Sequence, residues 1–172
     1  MARYIENLTE CTDPVSGDYL WIVDASAGST DKDRKVDAGR FAQLSAGTWS
    51  PTITGSSSNP SVAYSAQVGR YSRIGDVVFF DAYIVINTTS GGSGDARISL
   101  PIINSTGRQT VANVYTAGVD LGGTPVNVLA LIPSGAQYFV VDSIQDNAGV
   151  SRLQISGLAA GDGIYATGFY FA

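Results

Sequence analysis

The stretch "DVVFFDAYIVI", residues 76–86, constrains the fold more than any other part of this chain. Read as a strand, it points successive side chains to opposite faces. Val78, Phe80, Ala82, Ile84 and Ile86 make one face wholly apolar and mark it for the core. Val77, Phe79, Tyr83 and Val85 make the other face apolar as well, interrupted by Asp81. The closing stretch "GIYATGFYFA" behaves alike: Tyr165, Thr167, Phe169 and Phe171 alternate with Ile164, Ala166, Gly168 and Tyr170. A strand with one wet face would be polar on that side, so both segments need cover on both faces. A sandwich gives each sheet one inner face. The second cover is therefore either a further layer of the same subunit or another copy of the chain.

Composition favours another copy. Glu and Lys, staples of exposed helix faces, occur twice each in 172 residues, while Gly occurs 20 times and Tyr and Phe together 15 times. Such a chain is all-β, with no helices to lay over an outer face. Further strands are expected at "RISLP", "TVANVYTAGV", "VNVLALI", "AQYFVVDSI" and "SRLQISGL", with turns at "DLGG", "PSG", "DNAG" and "AAGDG". "NTTSGGSG" reads as a flexible loop. Short strands at even spacing describe an antiparallel β-sandwich of jelly-roll type.

Residues 1–45 differ from the rest. They hold eight acids and five bases, against seven and five in the remaining 127 residues, and have too few apolar residues to fold alone. "DYLWIVDAS" reads as a strand, "AGSTDKD" as a turn, and Asp37 as the cap of a short helix carrying Phe41 and Leu44 and stopped by Gly47. The expected division is a segment at 1–45, which leans on the larger domain, on sister chains or on a docking surface, and a β-sandwich at 46–172.

Several chemistries find no support. Histidine is absent, which removes His-based triads and His-bearing zinc sites. Cys11 is the single cysteine, excluding an internal disulfide, and it has no basic neighbour to activate it. The carboxylates Asp76, Asp95, Asp120, Asp142, Asp146 and Asp162 fall mostly in turns, where Asp is common for its own hydrogen bonding; Asp81 alone is mid-strand and a candidate for burial, and is read first as a solvated or hydrogen-bonded carboxylate at a subunit contact. No cofactor or metal is called for. The net charge of −5, with Lys32, Arg34 and Lys35 interleaved by Asp31, Asp33 and Asp37, argues against nucleic acid. No run of about 18 apolar residues suggests a membrane span, and no signal peptide is recognised at the start. Tyr64, Tyr71 and Tyr115 are read as exposed, able to stack on sugars but equally ordinary strand residues.

A resemblance enters at "GTWSPTITG", "YSAQVGRYSRIGDVVFFDAYIVI" and "GDARISLP". Trp49 and Pro51, then Gln67, Gly69 and Tyr71, then Ile74 and Gly75, then Leu100 and Pro101, form a pattern that resembles the distal domains of tailed-bacteriophage fibres and head-decoration proteins. The ending "ATGFYFA" is similar to the last strand of trimeric jelly rolls, and "SGDYLWIVDASAGSTDKDRKV" to segments that fix such proteins to the particle. The stretch from Thr110 to Ser156 carries no part of this pattern. The resemblance implies a homotrimeric jelly roll made in the host cytoplasm and carried on the virion, with residues 1–45 as its attachment segment and 46–172 as its trimerisation domain. It also implies a non-enzymatic structural role: a trimeric capsid decoration (cement) protein that binds the major capsid protein or another virion protein. The alternative is a short tail fibre or adaptor that binds a host glycan. Phe79, Asp81, Tyr83, Tyr165, Phe169 and Phe171 would then form the trimer interface, and Tyr19, Trp21, Lys32, Arg34 and Lys35 would dock on the particle.

Overall fold

The computed structural model describes residues 19–23, 33–37 and 44–172, apart from Thr106, Thr124, Asn147 and Ala148. The backbone separates into two compact units, Met1–Ser45 and Ala46–Ala172. In the first, β1 (Tyr19–Val23) pairs antiparallel with β2 (Asp33–Asp37), Trp21 lying opposite Lys35 and Ile22 opposite Arg34. Cys11, Lys32 and the "AGSTDKD" turn fall outside the described residues. Most of the short helix expected between Asp37 and Gly47 falls on residues 38–43, outside the described residues. Asp37 closes β2, and Leu44 opens β3 (Leu44–Trp49) with Gly47 in its middle. Gly47 is thus a strand residue rather than a helix stop, and a Cβ on it would lie 2.9 Å from the Tyr71 ring.

The second unit is all-β. Beyond β3 come β4 (Ile53–Gly55), β5 (Ser61–Ile74), β6 (Val77–Ser90), β7 (Ala96–Ser99), β8 (Thr110–Ala117) and β9 (Pro125–Ile132). β10 (Tyr138–Gln145), β11 (Val150–Arg152), a 3-10 turn at Ile155–Gly157 and β12 (Gly163–Phe171) complete it. Ten strands form one sheet in the order β3-β5-β6-β12-β8-β9-β10-β7-β4, with β11 pairing beside β7 along the same edge of β10. β3 and β4 stand at opposite ends of that order, yet only residues 50–52 separate them in the chain. The sheet must therefore curl until its ends meet, and its two halves face each other as the layers of a sandwich. Phe80 of β6 packs on Phe139 of β10 at 6.1 Å across that interior.

The sequence pattern from Trp49 to Pro101 is the clasp of this closure. The Trp49 indole lies over Gly69, where a Cβ would sit 2.4 Å from its ring, and meets Tyr71 edge-on at 6.4 Å. Its N–H donates to the Ser99 carbonyl at 3.2 Å, the Gln67 amide donates to Pro51 O at 3.1 Å, and Ile53 N–H donates to the Tyr64 hydroxyl at 2.8 Å. Tyr64 and Tyr71 thus turn inward, half-buried, rather than outward as expected. Gly75, at φ 60°, makes the tight β5–β6 turn that places Ile74 opposite Val77. The "NTTSGGSG" stretch is no free loop either: its first residues extend β6, and Ser93 pairs with Ser58 through backbone and hydroxyl bonds, the latter 2.9 Å.

The core collects the inward residues of β6 and β12. Val78, Phe80, Ala82, Ile84 and Ile86 are buried, as are Ile164, Ala166 and Tyr170. They meet Ile98, Ile132, Phe139 and Val141 from the opposite layer. Each Val, Ile and Phe side chain among them contributes roughly 1.5–3 kcal/mol. Tyr170, fully buried, donates to Ile102 O at 2.8 Å and accepts from Ile102 N–H at 3.2 Å, holding the segment after β7 onto the last strand.

Two outcomes follow for stability. Gly69→Ala drives a methyl into the Trp49 ring and lowers unfolding free energy by about 1–3 kcal/mol, measurable by urea denaturation. Burial pushes the Tyr170 phenol up to about 12 from 10. Its stabilising contribution is therefore complete below pH 10 and is lost as pH rises toward 12. In thermal melts across that window, Tyr170→Phe flattens the alkaline decline while lowering stability at pH 7 by about 1–3 kcal/mol.

Candidate functional site: an aromatic outer sheet face

Alternation that buries one side of β6 and β12 leaves the other side bare. Phe79, Tyr83, Tyr165 and Phe169 are 45%, 36%, 38% and 46% exposed. Register stacks them in rows across the strands. Phe79 lies opposite Phe169 with ring centroids 6.1 Å apart, and Tyr83 lies opposite Tyr165, stacked at 4.7 Å. Tyr115 of β8 extends the second row, 5.7 Å from Tyr165, while Val68 of β5 lies opposite Tyr83. The Tyr83 hydroxyl beside it, then desolvation, hold the Tyr165 phenol above its ordinary value. Aromatic pairs of this kind contribute about 0.5–1.5 kcal/mol beyond their buried area. They are assembled before any partner arrives.

Between the rows runs a polar one. Arg70, Asp81, Thr167 and Asn113 lie side by side on β5, β6, β12 and β8, all exposed. Asp81 is therefore not buried within the subunit. Two shallow depressions flank it. One, of about 440 Å³, lies between Arg70, Phe79, Asp81 and Phe169; the other, of about 250 Å³, lies between Tyr83, Asn113, Tyr115 and Tyr165.

Of the six residues expected at an interface, Phe79, Asp81, Tyr83, Tyr165 and Phe169 share this face. Phe171 sits at its rim, half-buried, edge-on to Phe169 at 6.1 Å and partly covered by the Arg108 guanidinium at 4.7 Å. Val68, Arg70, Val111 and Tyr115 belong to the same face; Tyr115 was read as exposed but not as part of an interface, and the other three were missed from the sequence, although alternation in "VGR" and "VANVY" carried the signal. Of the residues expected to dock on a particle, Tyr19 and Trp21 lie on β1, and Arg34 and Lys35 on β2.

Four carboxylates elsewhere in this unit, Asp95, Asp120, Asp142 and Asp162, serve structural bonds. Arg152 grips Asp142 through Nε at 2.8 Å and Nη2 at 3.3 Å, and reaches Asp95 at 3.3 Å. The hydrogen bond to Asp142 is the first cause that raises the guanidinium's pKa above its ordinary value. Asp162 accepts from Ala159 N–H at 2.7 Å and Asp120 from Gly122 N–H at 2.9 Å, each fixing a turn. No group of three metal-binding side chains occurs among the described residues. No helix among them is long and apolar enough to cross a membrane.

No family model matches the chain, and no curated protein matches it in sequence. Among solved structures, it is similar to the crystal structure of the Dettilon tailspike protein, with a TM-score of 0.60 and 19% identity over 74% of this chain. The match spans 24% of that chain, so what is shared is the fold of a part of that protein.

Removing the Arg152 fork leaves Asp142, 8% exposed, without its partner. Arg152→Ala is expected to cost about 1–3 kcal/mol, read from denaturant midpoints, while the oligomeric state stays unchanged.

Proposed function

We propose that the chain is a non-enzymatic structural component of a bacteriophage particle, of the tail-fibre or tailspike kind. In this reading it assembles as a homotrimer through the outer face of β5, β6, β12 and β8. The observation that carries the proposal is that face. Phe79, Tyr83, Tyr115, Tyr165 and Phe169 lie bare on one side of a sheet whose other side is already packed. A contiguous exposed aromatic surface of this kind marks an interaction site. The fold likeness to a tailspike protein and the phage-like Trp49-to-Pro101 pattern support a virion role. They favour a tail part over the capsid decoration that the sequence also suggested, because the structural neighbour is a tail component by its name. Residues 1–45, a separate compact unit, would supply attachment to the particle. The carboxylates already occupied by Arg152 and by turn amides support a scaffold rather than a hydrolase.

Sedimentation equilibrium tests the assembly: the expected mass is three times the 17.9 kDa of one chain. Phe79→Asp and Phe169→Asp should each give folded, soluble monomer, because the subunit core does not use these rings. A wild type sedimenting at the mass of one chain would overturn the trimer. Antibody labelling of particles in electron micrographs tests the placement, with label expected on the tail; label spread over the head would restore the decoration reading.

A further inference from the structure

The polar row inside the aromatic face calls for a partner of particular chemistry. At the outward positions of β5, β6, β8 and β12, the charged side chains among the described residues are Arg70 and Asp81. They lie directly opposite each other on neighbouring strands, yet they do not close into an ion pair; the ion pairs among the described residues are those of Arg152. Thr167, on the other side of Asp81, gives its hydroxyl hydrogen to Phe80 O at 3.3 Å. Guanidinium and carboxylate thus stand on the walls of one shallow depression, with the Phe79 and Phe169 rings beside them.

An aromatic face that is covered takes Asp81 out of water with it. A carboxylate desolvated without a cation costs several kcal/mol, so whatever covers this face must bring a positive group to Asp81 and a negative one to Arg70. A uniformly basic or acidic partner would meet one of them and repel the other. A second copy of this chain meets both, since its own face carries the same two charges at the same spacing.

We propose that the contact between copies is keyed by an ion pair between Arg70 of one chain and Asp81 of the next, set in the polar row between the aromatic ones. This rests on the self-association proposed above. An Arg–carboxylate pair is directional and can be bidentate, whereas oily rings tolerate sliding. Arg70 and Asp81 therefore fix the register in which the faces meet, and the rings supply the burial.

Mixing the two single charge reversals separates a bond between chains from a bond within one. Arg70→Asp and Asp81→Arg are each expected to weaken self-association by roughly tenfold or more, because every contact then sets like charges together. When the two proteins, distinguished by tags of different mass, are mixed in equal amounts, native mass spectrometry should show mixed oligomers in excess of the random proportion. The double variant Arg70→Asp/Asp81→Arg should assemble almost as well as wild type. If the pair formed within one chain, the double variant would also recover but mixing would give no preference, and that result overturns the inference. Should a reversal impair folding, Asp81→Asn and Arg70→Gln replace it. Wild-type assembly is expected to weaken as salt rises, and theirs to lose that dependence; equal salt dependence overturns the pair. A wild type that trimerises without mixed preference removes the pair and keeps the trimer. A wild type that stays at one chain mass removes both, and another partner then covers the face.

Discussion

Nine consecutive residue pairs join β12 to β6, from Gly163 opposite Val85 to Phe171 opposite Val77, and the rest of the molecule is organised around that ladder. It lies in the interior of the strand order, between β5 and β8, and β12 pairs on both sides from Gly163 to Thr167. Strict two-residue alternation along both strands then leaves no freedom. If Phe80, Ile84, Ile164 and Tyr170 face the core, then Phe79, Tyr83, Tyr165 and Phe169 face outward. A one-residue slip would exchange the two sets and expose the core. The aromatic face is thus a geometric consequence of the same register that builds the interior.

The sheet can support such a face because it closes on itself. β3 and β4 leave from the same short connection and run to opposite ends of the strand order. Trp49, Gly69, Tyr71 and Gln67 hold that junction with aromatic contact and hydrogen bonds that span both edges. The sheet still ends on β3 and β4, each with one neighbour in the strand order. The aromatic face lies away from both ends, on the interior strands β6 and β12, so it offers side chains rather than an unpaired main-chain edge.

What could be read from the sequence followed from period-two alternation, which needs no knowledge of distant parts. The faces of residues 77–86 and 163–171 were legible because every position in them is informative. The Trp49–Pro101 pattern was recognisable, but its purpose was not. That purpose lies in contacts such as Trp49 on Gly69, twenty residues apart in sequence and joined only once the sheet curls. For the same reason Tyr64 and Tyr71 read as exposed: alternation gives their face but not which face is inward. The glycines after Asn87 misled because local preferences of about 1 kcal/mol yield to packing. Ser93 against Ser58 is where they yield, and Gly47, read as a helix stop, lies within β3 beneath Tyr71.

Asp81 was the one polar interruption visible in the β6 pattern, and its exposure sharpens its meaning. Within the subunit it could be replaced by an apolar residue of similar size without opening a cavity, so packing does not explain it. Solubility of a free monomer does not explain it either, since Arg70, Thr167 and Asn113 already make the same exposed row polar. A charge placed between two rows of rings has its largest effect when that face is covered. There it penalises every cover that fails to bring an opposite charge to that point. Polar groups at otherwise apolar contacts commonly trade some stability for one permitted arrangement. Asp81, with Arg70 on the adjacent strand, has the position such a device requires.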